Sequence, residues 1–217
     1  MRILHISDTH GNFSPPQYYT YDCVIHSGDF LPNHSNNLKE EIKFQKEWLK
    51  NNYQYIKNIA GNKKFLFTLG NHDFIDPDEL ENLLKSYGID AVNLHNKVTT
   101  YNSFNIYGFP YVPYLRGNWN YERNHQDMLI EVNKMIDNIG DKYIHIFVCH
   151  SGLNGILDLN YSNDHIGSSI IRDALYYKLN NLPILYCHGH IHESQGVSFK
   201  DSMLISNASK NYNIIEI

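Results

Sequence analysis

Seven side chains in five short motifs have the types and spacing to hold metal: Asp8 and His10, Asp29, Asn71, His150, and His190 with His192. Each motif sits at the end of an apolar run, where open α/β sheets carry their ligands and chemistry. Asp8 and His10 are two residues apart as the first run ends, so both side chains leave the same face and grip one ion. His190 and His192 repeat that spacing. Gly28, Gly70 and Gly189 precede Asp29, Asn71 and His190, and a residue without a side chain lets the backbone approach the ions. Asp29 is the isolated carboxylate, placed to give one oxygen to each of two ions. Asn71 supplies a neutral carbonyl oxygen, which leaves its ion more electrophilic. Imidazole, amide and carboxylate suit two divalent transition-metal ions from Mn, Fe, Co, Ni or Zn, and the donor set does not choose among them; manganese is the expected ion. Such ions usually sit about 3.5–4 Å apart and make hydroxide available at neutral pH, which is hydrolytic chemistry. His72 follows Asn71 and precedes Asp73. An imidazole beside the metals with a carboxylate to orient it suits a general acid, so His72 and Asp73 are the expected catalytic pair.

These residues need a scaffold that brings five distant segments to one edge. Residues 2–7, 21–27 and 64–69 read as buried strands. A helix over 38–59 separates the second and third, with Leu38, Ile42, Leu49, Tyr53 and Ile56 at helical spacing. Phe44 and Trp48, at i and i+4 on it, read as core packing. Asp76-Pro77-Asp78-Glu79 opens a second helix, with Asp76 as N-cap and Pro77 in first position. Residues 98–101 and 104–109 form a hairpin across Asn102-Ser103. A turn-rich stretch over 110–124 holds Tyr111, Tyr114, Trp119 and Tyr121. Helices over 122–139 and 167–179 flank a strand at 143–149, and short strands follow at 183–187, 196–199, 203–206 and 212–217. Two sheet-forming halves with helices outside predict an α/β fold, a four-layer sandwich of two mixed β-sheets flanked by helices, in one domain over 1–217.

The 217 residues carry 18 Lys+Arg against 23 Asp+Glu, a net charge of −5. That balance argues against general nucleic-acid binding and against an anionic membrane surface. Cys23, Cys149 and Cys187 lie inside apolar runs and read as small buried hydrophobes. No signal peptide or membrane span is legible, which predicts a cytoplasmic protein. Thirteen histidines exceed what a metal site needs. His5 and His26 read as hydrogen-bonded core residues, His34, His95, His125, His145 and His165 as surface or loop residues, and His188 as an outer partner at most.

With these motifs in order, D-x-H, G-D, G-N-H-[DE], H and G-H-x-H, the chain resembles the calcineurin-like metallophosphoesterase superfamily from Met1 to about Ser209. The resemblance implies one metal held by Asp8, His10, Asp29 and His192, a second held by Asp29, Asn71, His150 and His190, and His72 near the scissile bond. A narrower resemblance is to the MPPED-like subgroup of cyclic-nucleotide-type phosphodiesterases. It is carried by His26-Ser27-Gly28-Asp29-Phe30, Ile106-Tyr107-Gly108-Phe109-Pro110, Tyr111-Val112-Pro113-Tyr114, His190-Ile191-His192-Glu193 and Asn207-Ala208-Ser209. In the rim, Tyr111 and Tyr114 stand where that subgroup has tryptophans. Arg116 and Arg123 nearby suit phosphate or a stacked base. Asn71, Arg116, Tyr111 and Tyr114 are therefore the expected substrate contacts.

The leading expectation is a metal-dependent phosphodiesterase acting on a small, nucleotide-like diester. A small-molecule phosphomonoesterase is the alternative. Gly28-Asp29-Phe30-Leu31-Pro32 lacks the V-D-R-G extension of protein phosphatases, and Asp73 stands where they have Glu. A non-catalytic scaffold of this fold would need a broken motif, and none is broken. Asp73 has a second reading, as a cap for the turn after Asn71 and His72.

Overall fold

Alternate residues along each central strand belong to different apolar layers, and that alternation builds the molecule. The computed structural model describes residues 1–14, 19–34, 37–139, 144–178 and 183–217. The first sheet contains β1 (Arg2–Ile6), β2 (Cys23–Ser27), β3 (Lys64–Thr68) and β4 (Ala91–Asn93), all parallel, with β13 (Tyr212–Glu216) antiparallel on the outer side of β1. The second sheet runs β11 (Gly196–Lys200), β12 (Met203–Asn207), β10 (Leu185–His188), β9 (Ile144–Cys149), β6 (Phe104–Phe109) and β5 (Val98–Tyr101). Its four inner strands are parallel and its two edge strands antiparallel.

Ile3, Cys23, Ile25 and Leu66 from the first sheet meet Ile106, Ile146, Val148, Leu185 and Cys187 from the second in a central apolar layer. The intervening residues face outward. Leu4, Val24, Phe65 and Phe67 pack with Leu49, Ile56, Leu80 and Leu84 of α1 (Leu38–Ala60) and α2 (Pro77–Ser86). On the far side Phe147, Cys149 and Tyr186 pack with Met128, Val132, Ile171 and Leu175 of α3 (His125–Asp137) and α4 (Ser169–Lys178). Helix, sheet, sheet and helix thus form the four layers expected. All three cysteines are buried and unpaired.

Asp76 caps α2 by accepting from the backbone N–H groups of Asp78 and Glu79, with Pro77 in the first turn, as read. The helix read over 122–139 is corrected at its start. Glu122 and Arg123 form β8 (Glu122–Arg123), paired in parallel with β7 (Val112–Pro113). Asn124 then caps α3 by accepting from the N–H of Asp127. A cap that prefers extended backbone ends one element and begins the next. β4 is an addition, a three-residue strand too short to show periodicity. The expected strand start at Tyr143 and helix end at Leu179 lie outside the described residues. His145 is buried within β9 and is not the surface or loop residue expected, whereas His95 lies in the loop after β4 and packs against Tyr111 and Tyr121. His34, His125 and His165 are exposed. Among the described residues no helix is long and apolar enough to cross a membrane.

Candidate metal centre

The loops after β1, β2 and β3 in the first sheet, and after β9 and β10 in the second, converge at one end of the sandwich. Four of the side chains they present sit on left-handed backbone: Asp8 (φ 51°), His10 (43°), Asp29 (54°) and His190 (70°). Non-glycine residues adopt that region at a cost and concentrate at functional sites when they do. Backbone bonds hold the turns, with Asp8 N–H donating to Gly28 O at 2.9 Å and His10 N–H to Asp29 O at 3.1 Å. At Gly189 a β-carbon would collide with Ser7 Oγ and the Asp8 carboxylate, and at Gly70 with Asp29 Oδ1 and the His150 ring. The glycines therefore let the loops pack directly onto the carboxylates.

Two clusters result. Asp8, His10 and His192 each offer one ligand atom within 4.8 Å of the others, and so do Asp8, Asp29 and His150. Asp29 spans both sides. Its Oδ2 lies 3.8 Å from His10 Nε2 and its Oδ1 lies 3.3 Å from His150 Nε2. Asn71 Oδ1 is 3.1 Å from His150 Nε2, and the His190 ring centroid is 5.1 Å from that of His150. His192 Nε2 is 3.1 Å from Asp8 Oδ1, and the backbone N–H of His190 donates to both Asp8 oxygens. All seven expected ligand residues are brought together.

The donor set fits a cation. His150 Nδ1 donates to Ser27 O at 2.9 Å, so in the neutral tautomer its Nε2 lone pair points at two acceptor oxygens, those of Asn71 and Asp29. That arrangement repels itself unless a proton or a metal ion is present. Burial pulls the His150 ring down, but the carboxylates of Asp29 and Asp8 outweigh it and hold its pKa up to about 9. Burial opposes the charges on Asp8 and Asp29, yet the neighbouring imidazoles keep both carboxyls below their ordinary range. Burial and His150 pull His190 down to about 4, leaving it neutral with a lone pair to give.

His72 lies beside the clusters, its ring centroid 5.1 Å from that of His10. Its backbone N–H donates to Asp29 Oδ1 at 2.8 Å. Its Nδ1 is 2.6 Å from Asn33 Oδ1, so Asn33, not Asp73, orients the ring. The Asp73 carboxylate accepts instead from the backbone N–H groups of Phe30, Leu31 and Gly70 at 2.9–3.1 Å. The catalytic expectation for Asp73 is therefore corrected to its capping alternative. Burial and the Asp29 charge push its carboxyl up to about 7 against those three donors.

Two positioning residues were not legible in the sequence. Glu41 and Gln45 are polar, yet they form the buried face of α1 beneath this loop. Gln45 Nε2 donates to His72 O and its Oε1 accepts from Phe74 N–H, while Glu41 accepts from His34 N–H and Asn33 Nδ2.

The rim differs from expectation. Tyr111 is buried, with the Arg123 guanidinium 4.3 Å over its ring and its hydroxyl accepting from Asn96 Nδ2. It is removed from the substrate rim, because the β7–β8 pairing draws it into the core. Tyr114 and Arg116 are exposed on the intervening loop. Trp119 is the aromatic that reaches the site, its ring centroid 4.0 Å from that of His72. A cavity of about 500 Å³ beside it is lined by Leu38, Glu41, Phe74, Arg116, Trp119 and Asn120, among others. His188, buried, bonds through Nδ1 to Gly189 O, and its Nε2 has no hydrogen-bond partner among the described residues.

Comparison with known proteins bears on the fold and the family. One solved structure superimposes with a TM-score of 0.73 at 12% identity, covering 99% of this chain and 98% of that one. TT1561 of Thermus thermophilus gives 0.61 at 10% identity, covering 98% and 97%. Phosphopantetheinyl hydrolase (PptH) from Mycobacterium tuberculosis gives 0.55 at 15%, covering 97% and 89%. At these identities the likeness is one of fold. In sequence, the chain is 29% identical over 218 residues to UPF0046 protein K07C11.7 of Caenorhabditis elegans, covering 97% of this chain and 70% of that protein. The family model described as calcineurin-like phosphoesterase matches residues 1–194. On that match, which takes in every motif that builds the site, the chain belongs to the calcineurin-like phosphoesterase family.

Proposed function

We propose that this protein is a dinuclear-metal phosphodiesterase acting on small nucleotide-like phosphodiesters. The observation that carries the reading is the posture of Asp29, whose two oxygens face different histidine clusters. One ion falls to Asp8, His10, Asp29 and His192, the other to Asp29, Asn71, His150 and His190. Two bound divalent ions supply neutral-pH hydroxide and neutralise phosphoryl charge. The chain's own residues do the rest. Asn33 accepts from His72 Nδ1–H, so in the protonated ring it is Nε2–H that passes a proton to the departing oxygen, leaving the neutral Nδ1–H tautomer. Asp73 holds the Phe30–Leu31 and Gly70 backbones in register, so Asp29 and Asn71 keep their separation. Arg116 and Tyr114, exposed on the rim, meet the organic part of the substrate. A diester fits because one proton donor serves one leaving group and the rim is aromatic. Manganese is the metal of choice, and the three reduced cysteines suit the cytoplasm.

The test is metal analysis with a substrate panel. Two metal equivalents per chain are expected, removed by chelation, with turnover lost on Asp29→Ala. Reconstituted protein should hydrolyse a bis-aryl phosphate faster than the matching aryl monophosphate. Trace metal in an active preparation overturns the dinuclear reading. A tenfold monoester preference, about 1.4 kcal/mol in transition-state binding, makes the protein a phosphomonoesterase.

A further inference from the structure

The site has two flanks, and they are built differently. On one, the Trp119 ring lies against His72 and opens onto the cavity of about 500 Å³ that includes Phe74, Leu38 and Arg116. On the other, Asp8 and His10 form the wall of a second cavity of about 360 Å³, completed by Asn12, Phe13, Lys210 and Tyr212 among others. The two linings share no residue. Both volumes lie in the range that holds a small organic group.

The Trp119 flank is also preorganised. Glu122 Oε2 accepts from three successive backbone N–H groups, those of Leu115, Arg116 and Gly117, at 2.6–3.3 Å. Asn120 ties the loop to the ligand turn, its N–H donating to Asn71 O at 3.0 Å and its Nδ2 to Asp73 O at 2.9 Å. The loop is thereby fixed to the same backbone that carries Asn71 and His72.

We infer that the substrate is an acyclic, two-armed phosphodiester whose leaving arm stacks on Trp119 beside Arg116, while the retained arm occupies the Asp8–His10 cavity beneath Lys210. The assignment rests on the phosphodiesterase reading and on His72 as proton donor. In hydrolysis a water oxygen bonds to phosphorus and the bond to the leaving alcohol breaks. That alcohol's oxygen takes a proton from His72, so the leaving arm must lie on the His72 side. A cyclic nucleotide returns both ester oxygens to one sugar and fills only one cavity. An acyclic diester carries a separate group on each oxygen and fills both. Trp119 offers a π-face and Arg116 a planar cation, which together suit a base or aryl ring with carbonyl acceptors.

The experiment compares thymidylyl-(3′→5′)-thymidine with 3′,5′-cyclic thymidine monophosphate on manganese-reconstituted full chain, both having alkoxide leaving groups. The acyclic substrate is expected to show at least tenfold higher kcat/KM, although ring strain favours the cyclic one. Trp119→Ala should raise its KM about tenfold, the size of one lost stacking contact, with kcat within about threefold, and Trp119→Phe should recover most of that loss. Lys210→Gln should cut about fivefold the preference for thymidine 5′-(4-nitrophenyl phosphate) over methyl 4-nitrophenyl phosphate, which differ only in the retained arm. A cyclic preference overturns the inference. So does a Trp119→Ala effect confined to kcat, which would make Trp119 a brace for His72. Monoester hydrolysis with every diester inert overturns the diester reading as well, and is distinguishable because it precedes any comparison of arms.

Discussion

At the scale of single residues, the seven ligand candidates were legible because metal ligation demands particular atoms at particular spacings. The partners of His72 were not. Asn33 lies 39 residues from it in sequence, and nothing about a lone asparagine after a proline advertises that contact. Asp73 sits next to His72 in the chain, yet its carboxylate turns to three backbone donors, because buried N–H groups must be satisfied before side chains are free for chemistry. His72→Ala should keep both metals and slow turnover by about 10²–10⁴-fold, as for a lost general acid. A nitrophenolate leaving group should suffer least and a nucleoside alkoxide most, measured as the ratio of kcat values. Loss of metal from the variant would make His72 a ligand. A second prediction comes from His150. Its folded pKa of about 9 exceeds the ordinary 6.5, so in metal-free protein its contribution to stability is complete below pH 6.5. It fades as pH rises through about 9. Asp8 and Asp29 are depressed, so theirs is present above the ordinary carboxylate value and is lost on acidification. Thermal unfolding in chelator should fall on the alkaline side between pH 6.5 and 9, and His150→Gln should flatten that limb.

At the scale of elements, α1 shows where periodicity misleads. Its apolar positions Leu49 and Ile56 mark the buried stripe correctly. Glu41 and Gln45 continue that stripe toward the N-terminus, but as polar residues they read as solvent-facing. They are buried because the loop carrying His72 presents unpaired backbone groups to the helix. Gln45→Leu should leave Phe74 N–H without its partner, while His72 O keeps Asn33 Nδ2, destabilising the protein by about 1–3 kcal/mol for the donor left unsatisfied. It should lower kcat more than it raises KM, a split readable by steady-state kinetics alongside thermal unfolding. The start of α3 departs from the sequence pattern for a related reason. Glu122 and Arg123 have helix-compatible side chains, but pairing with Val112 and Pro113 overrides propensity. That pairing sends Tyr111 inward and leaves Trp119 to meet the site.

At the scale of the whole molecule, the fold was legible from alternating apolar runs and from the order of strands and helices. The short strand β4 and the register between the sheets were not, since neither leaves a local signal. Asp8, His10, Asp29 and Asn71 follow strands of one sheet, whereas His150, His190 and His192 follow strands of the other. Metal held by these residues would therefore fasten the sheets together across their apolar interface. Saturating manganese at about a hundredfold over its Kd should add about 2.7 kcal/mol to stability. The resulting rise in Tm should vanish in Asp29→Ala. A rise of equal size in that variant would place the stabilising ion elsewhere.

The division of ligands between sheets also bears on time. Asp8 and His192 are 184 residues apart in the chain, and no early cluster of neighbours can assemble such a pair. The site comes into being only once both sheets have docked, a step expected to follow the barrier to folding. Added metal should then leave the refolding rate almost unchanged and act on escape from the native state. In denaturant-jump experiments the refolding arm should superimpose with and without manganese, while the unfolding arm drops in parallel with the gain in stability. The ion would serve as a latch on a finished molecule, not as a seed for an unfinished one.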